Sequence, residues 1–135
     1  IKNIFDIAGR AMAAQMVRLN TISSNLANAG ATTGDPETVY KPLKPEFKTQ
    51  YSENVKKNGI STVNVSKVVE LQKEPFKIFD PNHPLADRDG YIYKAPINVE
   101  EEMVDMMDAS RQYQNNIEVV TTLKALTLKT INLGK

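Results

Sequence analysis

The chain contains no cysteine, which excludes disulfide staples and thiolate chemistry and leaves both reducing and oxidising compartments open. It has a single histidine, His83, thin material for a catalytic base or a metal-ligand set, since either needs positioned partners. Charge of neither sign is in excess: 17 basic and 16 acidic residues give a net charge of +1. That balance gives no reason to expect nucleic acid or an anionic membrane as a partner. No apolar run approaches the roughly 20 residues a membrane-spanning helix needs. Residues 1–30 are periodic and carry Asn20, Asn25 and Asn28, so no cleaved signal peptide is expected. The chain starts at Ile1 without a methionine, and a few natural residues are expected to be missing before it. Gly-rich phosphate loops, a nucleophile elbow and paired-histidine motifs are absent.

What the sequence does have is two long helical patterns. The stretch from Asn98 to Leu133 is free of proline and glycine until Gly134 and predicts one helix of about 54 Å at 1.5 Å per residue. Asn98 is the expected N-cap, and Glu101 falls at the capping-box position. Glu100, Glu101, Glu102 and Asp105 crowd the first turns, where the helix dipole favours negative charge, and Lys124 and Lys129 lie toward the far end. One stripe runs Met103, Met106, Ser110, Tyr113, Ile117, Val120, Lys124, Thr127, Ile131. A second, Val119, Leu123, Leu126, Thr130, Leu133, lies on another side of the last four turns. A helix with two apolar faces calls for several partner helices.

Residues 2–29 form the second pattern. Phe5, Ala8, Met12, Gln15, Leu19, Ile22, Leu26 and Ala29 step by three and four, nearly four heptads of a seam. The seam is thin: several members are alanine and Gln15 is polar, which permits close helix approach and makes the helix a poor folder alone. Gly30 is the expected residue just past its C-terminus.

The middle is different in kind. Gly30, Gly34, Pro36, Pro42 and Pro45 predict an irregular arm over 30–59, either laid on a neighbouring surface by Tyr40, Leu43 and Phe47 or left as a linker. Over 60–95, Val63, Val65, Val69 and Leu71 alternate with polar residues, and Phe76-Lys77-Ile78 and Tyr91-Ile92-Tyr93 read as two further strands of a small antiparallel meander. The loop from Phe79 to Gly90 joins the last two.

Sites with chemistry to offer are few. Asp80, Asp87 and Asp89 lie near His83, which invites a small hydrolase, but Pro81 and Pro84 flank His83 in what reads as a rigid turn. Asp87-Arg88-Asp89-Gly90 lacks the ligand alternation and terminal glutamate of a calcium loop. Met103, Met106 and Met107 read as adaptable packing. No catalytic, metal or cofactor-binding residue is therefore assigned. A helical adaptor gripping a partner helix is the other alternative to an assembly protein.

Ser24-Asn25-Leu26-Ala27-Asn28 closing an N-terminal heptad helix, with Thr32, Thr33 and Tyr40-Lys41 downstream, resembles the signature of the bacterial flagellar rod, hook and hook-associated proteins. The segment from Asp80 to Tyr91 resembles an Asp-Pro-x-His-Pro…Ala-Asp…Gly-Tyr pattern of the proximal rod members. Asn98-Val99 through Glu102-Met103-Val104, then Ala109-Ser110-Arg111-x-Tyr113-x-x-Asn116, resembles their C-terminal helix. Departures are small: Ile117 follows Asn116 where valine is common, and Leu123, Ala125 and Leu126 replace an Ala-Lys-Gln-Met-type string.

The resemblance implies a structural subunit of a tubular, periplasm-crossing rod that transmits torque from motor to hook and encloses an export channel. It also implies passage through the flagellar type III export apparatus. The implied partners are copies of itself, other rod proteins, and export-gate and inner-membrane ring components at the rod base, with no small-molecule substrate. The expected fold is mainly α with a small β part: two long terminal helices pair as an antiparallel, coiled-coil-like hairpin, with the arm and meander inserted between them. Residues 1–29 with 98–135 form the expected rod-core domain and 30–97 the insert. The expected assembly seams are Phe5, Met12, Leu19, Ile22, Asn25, Leu26, Asn28, Met103, Met106, Tyr113, Ile117, Val120, Leu123, Leu126 and Ile131. Of these, Leu26, Ile117, Val120, Leu123 and Ile131 are expected to form the paired-helix core, while Asn25 and Asn28 fix the end of the first helix. The isolated subunit is expected to be only partly folded at its termini.

Overall fold

The computed structural model describes residues 2–50 and 62–134. Two helices dominate it. The first, α1 (Lys2–Asn28), leads through a two-residue strand, β1 (Thr32–Thr33), and a 3₁₀ turn at Pro36–Thr38 into β2 (Leu43–Gln50). After residue 61 come β3 (Thr62–Glu70), β4 (Phe76–Phe79), β5 (Tyr91–Lys94) and α2 (Val99–Leu133). At 1.5 Å per residue α2 is about 52 Å long.

The helices pack against each other antiparallel, as expected. Asn25 near the end of α1 meets Glu102 at the start of α2, Arg18 meets Asp108, and Gln15 meets Gln112. The start of α2 is fixed as its sequence dictates: the Asn98 side chain accepts from the Glu101 amide at 3.1 Å, and Glu100, Glu101 and Glu102 fill the first turn. The end of α1 is built otherwise than expected. Gly30 does not adopt a left-handed conformation. Instead the Ala29 amide bonds Leu26 O and the Ala31 amide bonds Asn28 O, so the chain leaves the helix by tight turns any residue can make.

The irregular arm is partly a strand. β2 pairs antiparallel with β3 from Leu43↔Glu70 to Gln50↔Thr62, with Pro45 opposite Val68. A two-stranded ribbon has only edge strands, so Pro45 withholds an amide that no central ladder needs. The register skips Ser66 between Lys67 and Val65, a bulge that breaks the simple alternation read from the valines. The meander is likewise split. β3 belongs to the ribbon, while β1, β5 and β4 form a separate antiparallel sheet in that order. The ribbon leans on α1.

The core is small in area and in side-chain size. Val39, Ala95 and Ile97 form its centre, with Ala29, Tyr40 and Tyr93 packed around them, joining the end of α1 to β5 and the segment that follows it. Ala8, Ala14, Ile22 and Ala109 are buried along the helices, and among the described residues no large side chain is fully buried. Two glycines serve the insert. Gly90 turns the chain into β5 with φ +85, and Gly34 lies directly against the Leu85 carbonyl, with no room for a Cβ. Along the far half of α2, Thr121, Thr127 and Thr130 each turn their hydroxyl back to the carbonyl four residues earlier, at 2.8–2.9 Å.

Candidate assembly interface

The polar residues closing α1 act as a socket for the ribbon. Asn25 is 2% exposed. Its Oδ1 accepts from the Leu43 amide at 2.8 Å, and its Nδ2 donates to the Leu43 carbonyl at 3.0 Å. The side-chain amide thus pairs with one peptide unit of β2 as a neighbouring strand would. Tyr40 donates to the same Oδ1 at 3.0 Å and its hydroxyl lies 2.7 Å from Ser24 Oγ. Asn25 Nδ2 also reaches Glu102 at 3.4 Å, tying in α2. Asn28 has the more local role: it donates to the Ser24 carbonyl at 2.8 Å. Asn25 is therefore more than a helix-end residue; the expectation missed that its partners lie 15 to 18 positions downstream.

The inward stripe of α2 runs Glu102, Met106, Ala109, Tyr113, Asn116, Val120, Leu123, Thr127, none of them exposed. It shares Met106, Tyr113, Val120 and Thr127 with the sequence reading. At the alternate steps it lies one position away, with Ala109 for Ser110 and Asn116 for Ile117. Choosing positions by hydrophobicity favoured Met103, Ile117 and Ile131, but the helices approach closely enough that small and polar residues take the inward places. Of the expected paired-helix core, Val120, Leu123 and Leu26 are half-buried, while Ile117 and Ile131 are exposed. On α1, Ile22 and Asn25 are buried, and Phe5, Met12, Leu19 and Asn28 are half-buried.

Large apolar side chains are exposed near both ends of α2, among charged and polar neighbours. Met103, Val104 and Met107 are exposed near its start, the last two at 65% and 64%. Ile117, Val119, Leu126, Leu128, Ile131 and Leu133 are exposed beyond. A monomer of this size ordinarily keeps such residues scattered.

Between the helices and the ribbon a cleft of about 390 Å³ opens, bordered by Arg18, Asn25, Lys44, Lys73, Glu102 and Asp105. Burial is the main influence on Glu102 and raises its carboxyl above the ordinary value of 4.5, while the Asn25 bond works in the opposite direction. Asp108 is held below its ordinary 3.8, first by the Arg18 hydrogen bond.

The loop before β5 is organised around Asp87. Its Oδ1 accepts from the amides of Asp89 and Tyr91 at 3.0 and 2.8 Å, and its Oδ2 from the Tyr93 hydroxyl at 3.2 Å. These bonds, the Tyr91 amide foremost, hold the Asp87 carboxyl low. His83 Nδ1 accepts from the Leu85 amide at 3.0 Å, so the histidine braces its own turn. No group of three or more metal-ligating side chains converges among the described residues, and none of the described helices is long and apolar enough to cross a membrane.

Two terminal helices paired around a β insert, with an asparagine-rich helix end and large apolar side chains exposed on the second helix, define a flagellar axial subunit when set beside known proteins. Residues 5–34 match the family described as "Flagella basal body rod protein", and residues 88–133 match "Flagellar basal body rod FlgEFG protein C-terminal". The chain is 44% identical over 133 residues to the flagellar basal-body rod protein FlgC of Salmonella typhimurium, covering 98% of this chain and 97% of the relative. It is 42% identical to FlgC of Escherichia coli and 40% to FlgC of Yersinia enterocolitica, with the same coverage. The chain belongs to the FlgC family of flagellar basal-body rod proteins, structural subunits that assemble with other rod components in the basal body.

Two outcomes follow from the socket. Asn25→Ala strands the Leu43 amide and carbonyl, and we expect it to cost about 2–4 kcal/mol in urea unfolding while the helical circular dichroism signal persists. A loss below about 0.5 kcal/mol would contradict the role given to this side chain. Glu102 has a raised folded value, so its contribution turns unfavourable as pH climbs through 4.5 toward that value, and the penalty is complete above it. Glu102→Gln should therefore stabilise the chain near pH 7 and have little effect near pH 3, measured as the difference from the parent at each pH. Equal effects at both pH values would rule this out.

Proposed function

We propose that this chain builds the proximal section of the rod, with α1 and α2 (residues 1–29 and 98–135) as the stacked core around the export channel and 30–97 as the outward part. The observation that carries this reading is the number of large apolar side chains that α2 leaves exposed toward its two ends, Met103, Val104 and Met107 at one and Ile117 to Leu133 at the other. Contacts between unlike faces of successive subunits build an open helical array wherever the rotation between them does not close a ring, and α1 and α2 present unlike faces. Many such helix contacts in parallel would let the rod carry torque without loading any single interface. The seam residues on both helices serve as assembly contacts in this reading.

The subunit would leave the cytoplasm through the flagellar type III apparatus and meet other rod proteins, with export-gate and inner-membrane ring components at the base. Catalysis has no part in it: His83 and Asp87 are committed to the bonds that shape their loop.

Leu26→Asp places a carboxylate in the half-buried seam beside the socket, and we expect it to abolish rod assembly and motility on soft agar. Normal swimming by that mutant would refute the seam's role. Small buried side chains leave the ends of the helix pair with little to hold them before neighbours arrive. In the purified monomer, amide hydrogen exchange should be fast toward the start of α1 and beyond residue 117 of α2, and slow around Asn25. Strong protection across both whole helices would exclude ordering on assembly.

A further inference from the structure

The helix pair has a problem that its apolar seam does not solve. Both helices carry stripes that repeat at heptad spacing, and some of the buried residues along them are small, Ala8 on α1 and Ala109 on α2. Small side chains at heptad spacing fit nearly as well after a slide of seven residues, about 10.5 Å along the axis. Something must distinguish the register observed from its neighbours.

A closed ring of side chains spans the middle of the pair. Gln15 Nε2 donates to Gln112 Oε1 at 2.9 Å, and Gln112 Nε2 donates to Asp108 Oδ2 at 3.0 Å. Arg18 Nη1 donates to that same Asp108 oxygen at 3.0 Å and to Gln15 Oε1 at 3.4 Å, closing the ring. Arg18 Nη2 lies 3.6 Å from Asp105. The ring members are neither exposed nor fully buried. Their spacing, three apart on α1 and four apart on α2, puts each pair on one helix face.

We propose that the ring of Gln15, Arg18, Asp108 and Gln112, acting with the Asn25–Glu102 bond at the end of the pair, selects the register of the helices, and that the apolar seam supplies adhesion without choosing the register. Gln15 lies opposite Gln112 and Asn25 opposite Glu102, which fixes every other pairing. A slide of seven in one direction sets Asp108 against Leu26 and Gln112 against Ile22. The opposite slide sets Asp108 against Met12 and Gln112 against Ala8. Either way a carboxylate and an amide lose their partners and face apolar side chains, which neither tolerates when half-buried. A single polar side chain in a helix seam is known to select register in this way, at a cost in stability. The inference stands on the geometry of the pair and does not depend on the rod reading.

The absence of cysteine makes the test clean, because any introduced pair is the only one in the full chain. Ala11 and Asn116 lie one turn beyond Gln15 and Gln112, so Ala11→Cys with Asn116→Cys reports the observed register. Ala11→Cys with Leu123→Cys, and Ile4→Cys with Asn116→Cys, report the two slides. A disulfide needs Cα atoms within about 7 Å, so each pair reads one register.

In the parent, intramolecular oxidation should join only 11 and 116. In Arg18→Met/Asp108→Leu, which retains volume and helix propensity, the two shifted pairs, absent in the parent, should form alongside 11 and 116 with helicity unchanged. The exchanged variant Arg18→Asp/Asp108→Arg should return to 11 and 116 alone. Oxidation confined to 11 and 116 in the Met/Leu variant would overturn the proposal. So would shifted disulfides in the parent or mixed registers in the exchanged variant. Loss of helicity in the Met/Leu variant would overturn it as well, since the ring would then hold the pair together instead of selecting its alignment.

Discussion

The placement of the ribbon on the helix pair hangs on the amide of Asn25. A two-stranded ribbon is marginal on its own in water, and among the described residues β2 and β3 have no third strand to join. Asn25 supplies the equivalent of one, a donor and an acceptor set at the spacing of a peptide group and aimed at Leu43. Because this side chain is carried by the last turns of α1, the ribbon's position is referred directly to the helix axis. Tyr40 and Glu102 converge on the same amide, so the linker after the 3₁₀ turn and the first turn of α2 share that reference. Three segments remote in sequence are thus located by one polar group, with hydrogen-bond directionality where a larger core would rely on shape.

That arrangement suits a chain with little to bury. The buried apolar residues of the core are alanine, valine and isoleucine, while no methionine or leucine among the described residues is buried and Met103, Met107, Leu126, Leu128 and Leu133 are exposed. In a self-sufficient domain of this length the distribution would be reversed. Here many large apolar side chains stay exposed, and within the subunit polar bonds take over the task of specifying geometry. The Gln15–Arg18–Asp108–Gln112 ring and the Asp87 loop follow the same rule: each places backbone or helix by hydrogen bonds at a point where packing alone would leave alternatives.

The sequence announced its helices clearly because periodicity, the Asn98 cap and the acidic first turn are local signals. The antiparallel pairing and the small β part were legible for the same reason. Long-range pairing was not. Nothing near Pro45 says that Leu43–Gln50 will find a partner beyond residue 61, and prolines argued against a strand where an edge strand tolerates them. The inward stripe of α2 was half legible: a hydrophobic criterion found Met106, Tyr113 and Val120 and passed over Ala109 and Asn116, which face inward because they are small or can satisfy themselves. Asn25 was singled out, but with a local role, since a sequence does not reveal which peptide a side-chain amide will meet. The repeated Asn and Tyr40 of the asparagine signature were the one signal that could have led there.

The threonines of α2 alter what its surface offers a neighbour. Thr121 and Thr130 are exposed, yet their hydroxyls are already engaged with carbonyls of their own helix, and Asn116 is likewise bonded to Gln112 O at 2.8 Å. What projects from the exposed threonines is chiefly a methyl group. Counting these threonines as polar residues therefore overstates how much water this helix must surrender when it is covered. A partner can seal over the face without stripping hydration from an unmatched hydroxyl, so desolvation opposes contact less than the residue names imply.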